Sequence, residues 1–137
     1  PIVRARLSSV AEGLQVLVYS PPDRTDLFAR ICGYFDTGSF DLVLLMHALT
    51  YASKPGQAIV EASRVLRRGG RLVATCLGKH EHQAAVTPYG HVNLGFTAKD
   101  LRRYADKAGL EVTVCESVTR EKRPPHFEVL TLLARKP

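Results

Sequence analysis

The sequence predicts an α/β domain with a mostly parallel sheet that ends in an antiparallel hairpin. Three observations carry that expectation. Phe40–Met46 is a nearly unbroken apolar run, the pattern of a strand covered on both faces. Ala58, Ile59, Ala62, Val65 and Leu66 then recur at helical spacing, and residues 71–77 return as a second apolar run. Residues 110–118 and 127–134 are two further strand patterns, separated only by a basic loop with Pro124-Pro125. With no helix between them they should pair antiparallel.

Taken in order, Val3, Leu7, Val10 and Ala11 have helical spacing over residues 3–11, and Gly13 suits the stop. Residues 14–19 are short, Val-rich and closed by Ser20-Pro21-Pro22, so they read as a strand and turn. Residues 26–31 place Leu27, Phe28 and Ile31 on one side of a short helix. Asp36-Thr37-Gly38-Ser39 is turn chemistry leading into the Phe40 strand.

The next helix starts at Pro55, which suits a first turn. Arg64, Arg67 and Arg68 suit the negative end of its dipole, and Gly69-Gly70 is expected to end it. Residues 78–95 form a long polar loop with room for a short helix. Thr97 and Asp100 form a capping pair for the following helix, with Phe96 placed to staple onto Leu101. Leu101, Tyr104, Ala105 and Ala108 are its core face, and Gly109 closes it.

The 137 residues, 45% hydrophobic and 23% charged, make one domain with one modest core. No apolar run is long enough for a transmembrane helix or a signal peptide. The formal charge of +6 fits a basic but ordinary surface. Nucleic-acid binding is disfavoured, because the basic residues fall at a helix end and in a loop with no interleaved aromatic platform. Cys32, Cys76 and Cys115 are scattered and form no C-x-x-C pair, so they read as reduced, buried thiols of a cytoplasmic protein.

Several segments resemble class I S-adenosylmethionine-dependent methyltransferases. Phe40-Asp41-Leu42-Val43-Leu44-Leu45-Met46-His47-Ala48-Leu49 looks like the fourth motif of that family. Arg64-Val65-Leu66-Arg67-Arg68-Gly69-Gly70-Arg71-Leu72-Val73 resembles its frequent helix-to-strand turn, and Lys107-Ala108-Gly109-Leu110 with the closing hairpin also resembles the family. Asp36-Thr37-Gly38-Ser39-Phe40-Asp41 is similar to the lead-in of the ubiquinone and menaquinone C-methyltransferases. His80-Glu81 and Gly90-His91…Gly95-Phe96 resemble methyltransferase domains fused behind arsenic-repressor-type regulators.

The resemblance implies a Rossmann-like domain spanning residues 1–137 that lacks the first two strands of the family fold. It implies methyl transfer from S-adenosylmethionine to a small molecule. It places Met46 and His47 at the cofactor edge of a strand, makes 14–19 the family's third strand, and matches Asp23 to the acid that contacts the adenine amino group. Tyr51 is a candidate aromatic wall for the sulfonium cation. The family's Gly-rich cofactor turn has no counterpart, since no G-x-G occurs in the chain. Cofactor binding by this chain therefore calls for completion from outside it.

His80, His82, Tyr89 and His91 are the candidate substrate contacts, because His moves protons near neutral pH. Solvated loop residues, or a metal site with His80, His82, His91 and Cys76, are the competing readings. No catalytic acid–base pair stands out, and an in-line displacement relies chiefly on orientation. An inactive module for dimerisation or protein interaction is the alternative function. Loss of the first strands would expose the edge of Phe40–Met46, so a homodimer, a partner chain or a rearranged N-terminal segment is expected to cover it.

Overall fold

The computed structural model describes residues 8–9, 14–20, 28–89 and 93–137. Their strands form one sheet in the order β1-β2-β3-β4-β6-β5. The strands are β1 (Ser8–Ser9), β2 (Gln15–Tyr19), β3 (Phe40–Met46), β4 (Leu66–Leu77), β5 (Glu111–Arg120) and β6 (Glu128–Arg135). Helices α1 (Phe28–Cys32), α2 (Pro55–Val65), α3 (Gln83–Val86) and α4 (Ala98–Lys107) connect them. β2, β3 and β4 run parallel, while β6 runs antiparallel to both β4 and β5. This is the expected α/β architecture, with its closing hairpin in place.

The edge of β3 is covered, as expected, and of the three expected covers it is the N-terminal segment: β2 lies along it with Val18 beside Leu44 and Tyr19 beside Leu45. The chain's own N-terminal strand, not a partner chain, supplies the missing backbone hydrogen bonds. Asp41 ties the two strands at their base: its carboxylate accepts the Gln15 N–H at 2.7 Å and pairs with Arg67. These contacts, the arginine's first, hold the Asp41 carboxyl below the usual carboxylate range.

The helix expected over residues 3–11 is overturned at Ser8–Ser9, which pair antiparallel with Val16 and Gln15. Four apolar residues at helical spacing are a weak signal against the unpaired backbone groups that β2 would otherwise present. The rest of that span lies outside the described residues, as do Asp26 and Leu27 of the second expected helix.

α2 starts at Pro55 as expected but ends at Val65, not at Gly69-Gly70. Its last turn finds other partners. The Lys136 ammonium donates to the carbonyls of Ser63 and Leu66, both at 2.8 Å, and the Gly38 N–H donates to the Arg64 carbonyl at 2.9 Å. These bonds satisfy carbonyls that a glycine turn would otherwise serve. Only Arg64 of the three arginines therefore lies in the helix; it reaches Glu61 and the Cys32 and Phe35 carbonyls. Gly69, at φ +79°, instead forms a bulge in β4, where four residues, 67–70, stand opposite Asp41 alone of β3.

One apolar cluster holds the layers together. Ile59, Ala62 and Val65 of α2, and Leu101 and Ala105 of α4, pack on Val43, Leu45, Leu72, Ala74, Leu132 and Ala134. Phe28 and Cys32 of α1 join the same cluster. α4 carries the expected reciprocal cap between Thr97 and Asp100. All three cysteines are free and buried, and burial pushes the Cys32 and Cys76 thiols up to about 12. No helix among the described residues is long and apolar enough to cross a membrane.

Apolar continuity in β3 and β4 suggested cover on both faces. The alternate residues Leu42, Leu44 and Val73 are instead only partly buried, and α1, α2 and α4 share the other face.

Lys136 makes two charge-assisted bonds to the end of α2, each of a kind that contributes about 1.5–3 kcal/mol. Replacing Lys136→Met should keep the stem's packing and lower stability by roughly 1–3 kcal/mol. A reduced urea midpoint with an unchanged m-value would check this.

Candidate functional site

β3 and β4 both finish at the same end of the sheet, where their C-terminal residues meet the loop of residues 78–95. Met46 closes β3 and is 37% exposed. His47 follows at φ +54°, with its N–H donating to the Thr75 carbonyl of β4 at 2.9 Å. Left-handed backbone at a non-glycine residue turns the chain abruptly out of the sheet. The 3₁₀ turn Leu49–Tyr51 comes next.

Asn93 fixes that turn from across the loop. Its side-chain amide donates to the Leu49 and Ala52 carbonyls, each at 2.8 Å, and its N–H donates to Thr50 at 3.1 Å. Gly95 fixes the loop's return. At φ +80° a side chain there would place Cβ 2.1 Å from the Gly78 carbonyl oxygen. That close approach lets Gly78 bridge to Phe96, with the Lys79 N–H donating to Phe96 at 3.0 Å and the Phe96 N–H to Leu77 at 2.9 Å.

The resulting cleft holds about 320 Å³ and is lined by His47, Tyr51, Leu77, Val86, Glu121 and Phe127, among others. Partial desolvation by these walls lowers the His47 pKa, and the Glu121 carboxylate pulls in the opposite direction. The imidazole is therefore biased towards the neutral form at pH 7.

A second cleft of about 260 Å³ opens on the other side of Phe127. His80 packs on the Phe127 ring at 4.5 Å and stacks with His82 at 5.8 Å. Burial first, then His82, lowers the His80 pKa. The His82 N–H donates to His80 Nδ1 at 3.1 Å, so the neutral ring carries its proton on Nε2. That Nε2 is buried and has no hydrogen-bond partner among the described residues.

The structure thus brings His47 and Tyr51 to one cleft and His80 and His82 to its neighbour. Met46 lies at the strand end beside them. Asp23 and His91 lie outside the described residues, as does the Tyr89 side chain, although Tyr89 closes the turn Thr87–Tyr89. Cys76 sits among the core residues under the helices, away from both clefts, which removes it from any metal site with His80 and His82. Among the described residues no three His, Cys, Asp or Glu side chains group to hold a metal ion.

The sequence reading missed Glu121, Phe127 and Asn93. The first two were visible in principle from topology. β6 runs antiparallel to β4, so the loop before β6 must arrive where β4 ends. Asn93 carried no signal, since a loop Asn is common turn chemistry.

Comparison with known proteins returns two kinds of likeness. Residues 25–74 match the methyltransferase domain family. Among solved structures, the cyclase SpnF superposes with a TM-score of 0.60 at 24% identity, covering 75% of this chain and 52% of that one. A S-adenosylmethionine-dependent methyltransferase of Thermotoga maritima, described as a possible histamine N-methyltransferase, superposes at 0.60 with 20% identity, covering 75% of this chain and 58% of that one. A bifunctional uridylyltransferase/uridylyl-removing enzyme of Ralstonia nicotianae is 56% identical over 59 residues, which are 43% of this chain. The match spans only 6% of that enzyme.

Gly95→Ala should open the contact with Gly78 and cost at least about 1 kcal/mol, because neither the φ nor the space suits a side chain. Faster amide exchange at Lys79 and Phe96 would register it. His47 has a folded pKa below its unfolded value near 6.5, so the unfolded chain binds more protons as pH falls below about 7. Its contribution to stability is therefore lost as pH drops from about 7 towards the lowered folded pKa. His47→Asn, which tolerates the same backbone, should flatten part of that decline in denaturation measured across pH.

With these geometries in place, the chain has the Rossmann-like α/β fold of the class I methyltransferases.

Proposed function

We propose that this chain is the C-terminal portion of a domain that transfers a methyl group from S-adenosylmethionine to a small-molecule acceptor. The observation that carries the reading is the cleft at the C-terminal ends of β3 and β4, the edge where such sheets take their ligands. The cofactor would supply an electrophilic methyl group on a cationic sulfonium.

The residues present fit one end of that group. Glu121 offers a carboxylate and Tyr51 an aromatic face at the cleft, both suited to a cation. The sequence contains no Gly-rich turn, and the described residues place no further acid in the cleft to hold a ribose. Binding strength comparable to a complete site would need residues beyond these 137. His47, biased to the neutral form, is able to accept a proton from an acceptor hydroxyl or amine. Met46 sits at the same strand end. His80 holds an unpartnered Nε2–H that can meet an acceptor oxygen, with His82 stacked against it. Tyr89, His91 and Asp23 complete the proposed set as substrate and cofactor contacts respectively.

A second reading is an inactive methyltransferase-like module used for dimerisation or protein interaction. The missing Gly-rich turn favours it, and so does a cleft at the small end of the range for ligand sites. SpnF, which shares the fold, is a cyclase, so the fold alone does not fix methyl transfer as the reaction. The uridylyltransferase likeness spans too little of that enzyme to bring its chemistry along.

Titration calorimetry with S-adenosylmethionine separates the two readings. Sub-millimolar affinity, weakened roughly tenfold by Tyr51→Ala or Glu121→Gln, would support the first. Absence of binding by a well-folded sample would sink catalysis by this chain alone.

A further inference from the structure

The two clefts that share Phe127 differ in charge. Glu121 lines the one with His47 and Tyr51. The other is lined by five basic side chains, Lys79, His80, His82, Arg120 and His126, and by one acid, Glu128. Both walls are unbroken stretches of described chain, residues 78–82 and 120–128. Arg120 already pairs with Glu128 at 2.5 Å and donates to the His126 carbonyl at 3.3 Å. That pair cancels, and neither end of the guanidinium is free for a bidentate grip. Lys79 leaves the cleft with a positive charge, and Lys122 and Arg123 extend it along the loop after Arg120. Asp100 feels the Lys79 charge, but less than it feels its own helix cap and Arg103. Glu81 is exposed and does not line the cleft.

We propose that this cleft is an oxyanion site that takes the phosphate group of a small molecule. The donors select phosphate over carboxylate. Lys79 is a point charge with three rotatable N–H groups, and His80 and His82 each add a ring N–H in the neutral form. Separate single donors match an anion with three oxygens. A carboxylate is held best by a paired fork, which Arg120 has already committed to Glu128.

His80 supplies the unmet demand. Its Nε2–H has no acceptor among the described residues and is shut off from solvent. Two rings pack on His80: Phe127 at 4.5 Å and His82 at 5.8 Å. His82 is exposed, so it can swing aside and let a ligand oxygen reach Nε2. Binding then gives this donor the acceptor it lacks. The net charge of +6 draws anions towards the chain. That the phosphate belongs to a methyl acceptor, lying past Phe127 with its nucleophile beside His47, rests on the methyl-transfer reading. The anion site itself does not.

Titration of the 137-residue chain with inorganic phosphate, followed by NMR at pH 7 and constant ionic strength, tests this. The expected result is saturable binding with a Kd of about a millimolar, the His80 and His82 ring resonances moving together. Acetate should bind at least about tenfold more weakly. Glu128→Gln removes the cleft's one acid and should tighten phosphate several-fold. His80→Phe keeps a ring against Phe127 and should weaken it about tenfold. Lys107→Gln, on the basic outer face of α4, should leave it unchanged. The wild-type titration and Glu128→Gln decide the matter if His80→Phe does not fold. No saturation through the millimolar range, an unmoved His80 ring, shifts centred on Lys99, Arg102 and Lys107, acetate binding as tight as phosphate, or no tightening in Glu128→Gln would overturn the proposal. Phosphate binding without S-adenosylmethionine binding keeps this site and loses the methyl-transfer reading. S-adenosylmethionine binding without phosphate binding does the reverse.

Discussion

The backbone ladder on both sides of β4 is the constraint on which the rest of the structure depends. β3 pairs with it in parallel on one side and β6 in antiparallel on the other. Because side chains alternate along a strand, these two registers decide which residues of β3, β4 and β6 face the helices. A one-residue slip in either ladder would exchange Leu72 and Ala74 for Val73 and Thr75 beneath α2 and α4. The core and the clefts are thus two readings of one register. The clefts lie where β4 ends and β6 begins, and the partly buried Leu42, Leu44 and Val73 are residues that the core leaves out.

Element type was legible wherever the pattern was dense. Phe40–Met46 was expected and found with the same bounds, and the Thr97–Asp100 cap was visible from two residues at the right spacing. The failures came from distant partners. Gly69-Gly70 reads locally as a helix stop, yet Lys136 and Gly38 end α2 four residues earlier. The fate of the β3 edge was likewise open, because the alternation in residues 14–19 does not reveal which strand they will join. Which face of the sheet the described helices take was illegible for a related reason. Leu42, Leu44 and Val73 are as apolar as their buried neighbours, and hydrophobicity alone does not record which face the helices pack on.

For the candidate site, His47, Tyr51, His80 and His82 were picked out by type and by the strand end they follow. The division into two clefts was not visible, because it depends on Phe127 arriving from the far side of the hairpin. Nor was the orphaned Nε2 of His80, whose tautomer is set by a neighbouring backbone N–H two residues on. Such details arise from loop geometry, which a sequence pattern does not encode.

The tether from Lys136 to α2 has a consequence for the order of events during synthesis. The helix end it holds lies 70 and 73 positions upstream. On a growing chain, α2 would emerge with the Ser63 and Leu66 carbonyls unserved by Lys136 and wait for more than half of the sequence to follow. In that interval β4 has β3 for a neighbour but no β6, and one flank of the nascent sheet stands open. Assembly of this domain is therefore gated at its far end: the half-built sheet is most vulnerable to chaperone capture or misassociation just before β6 docks.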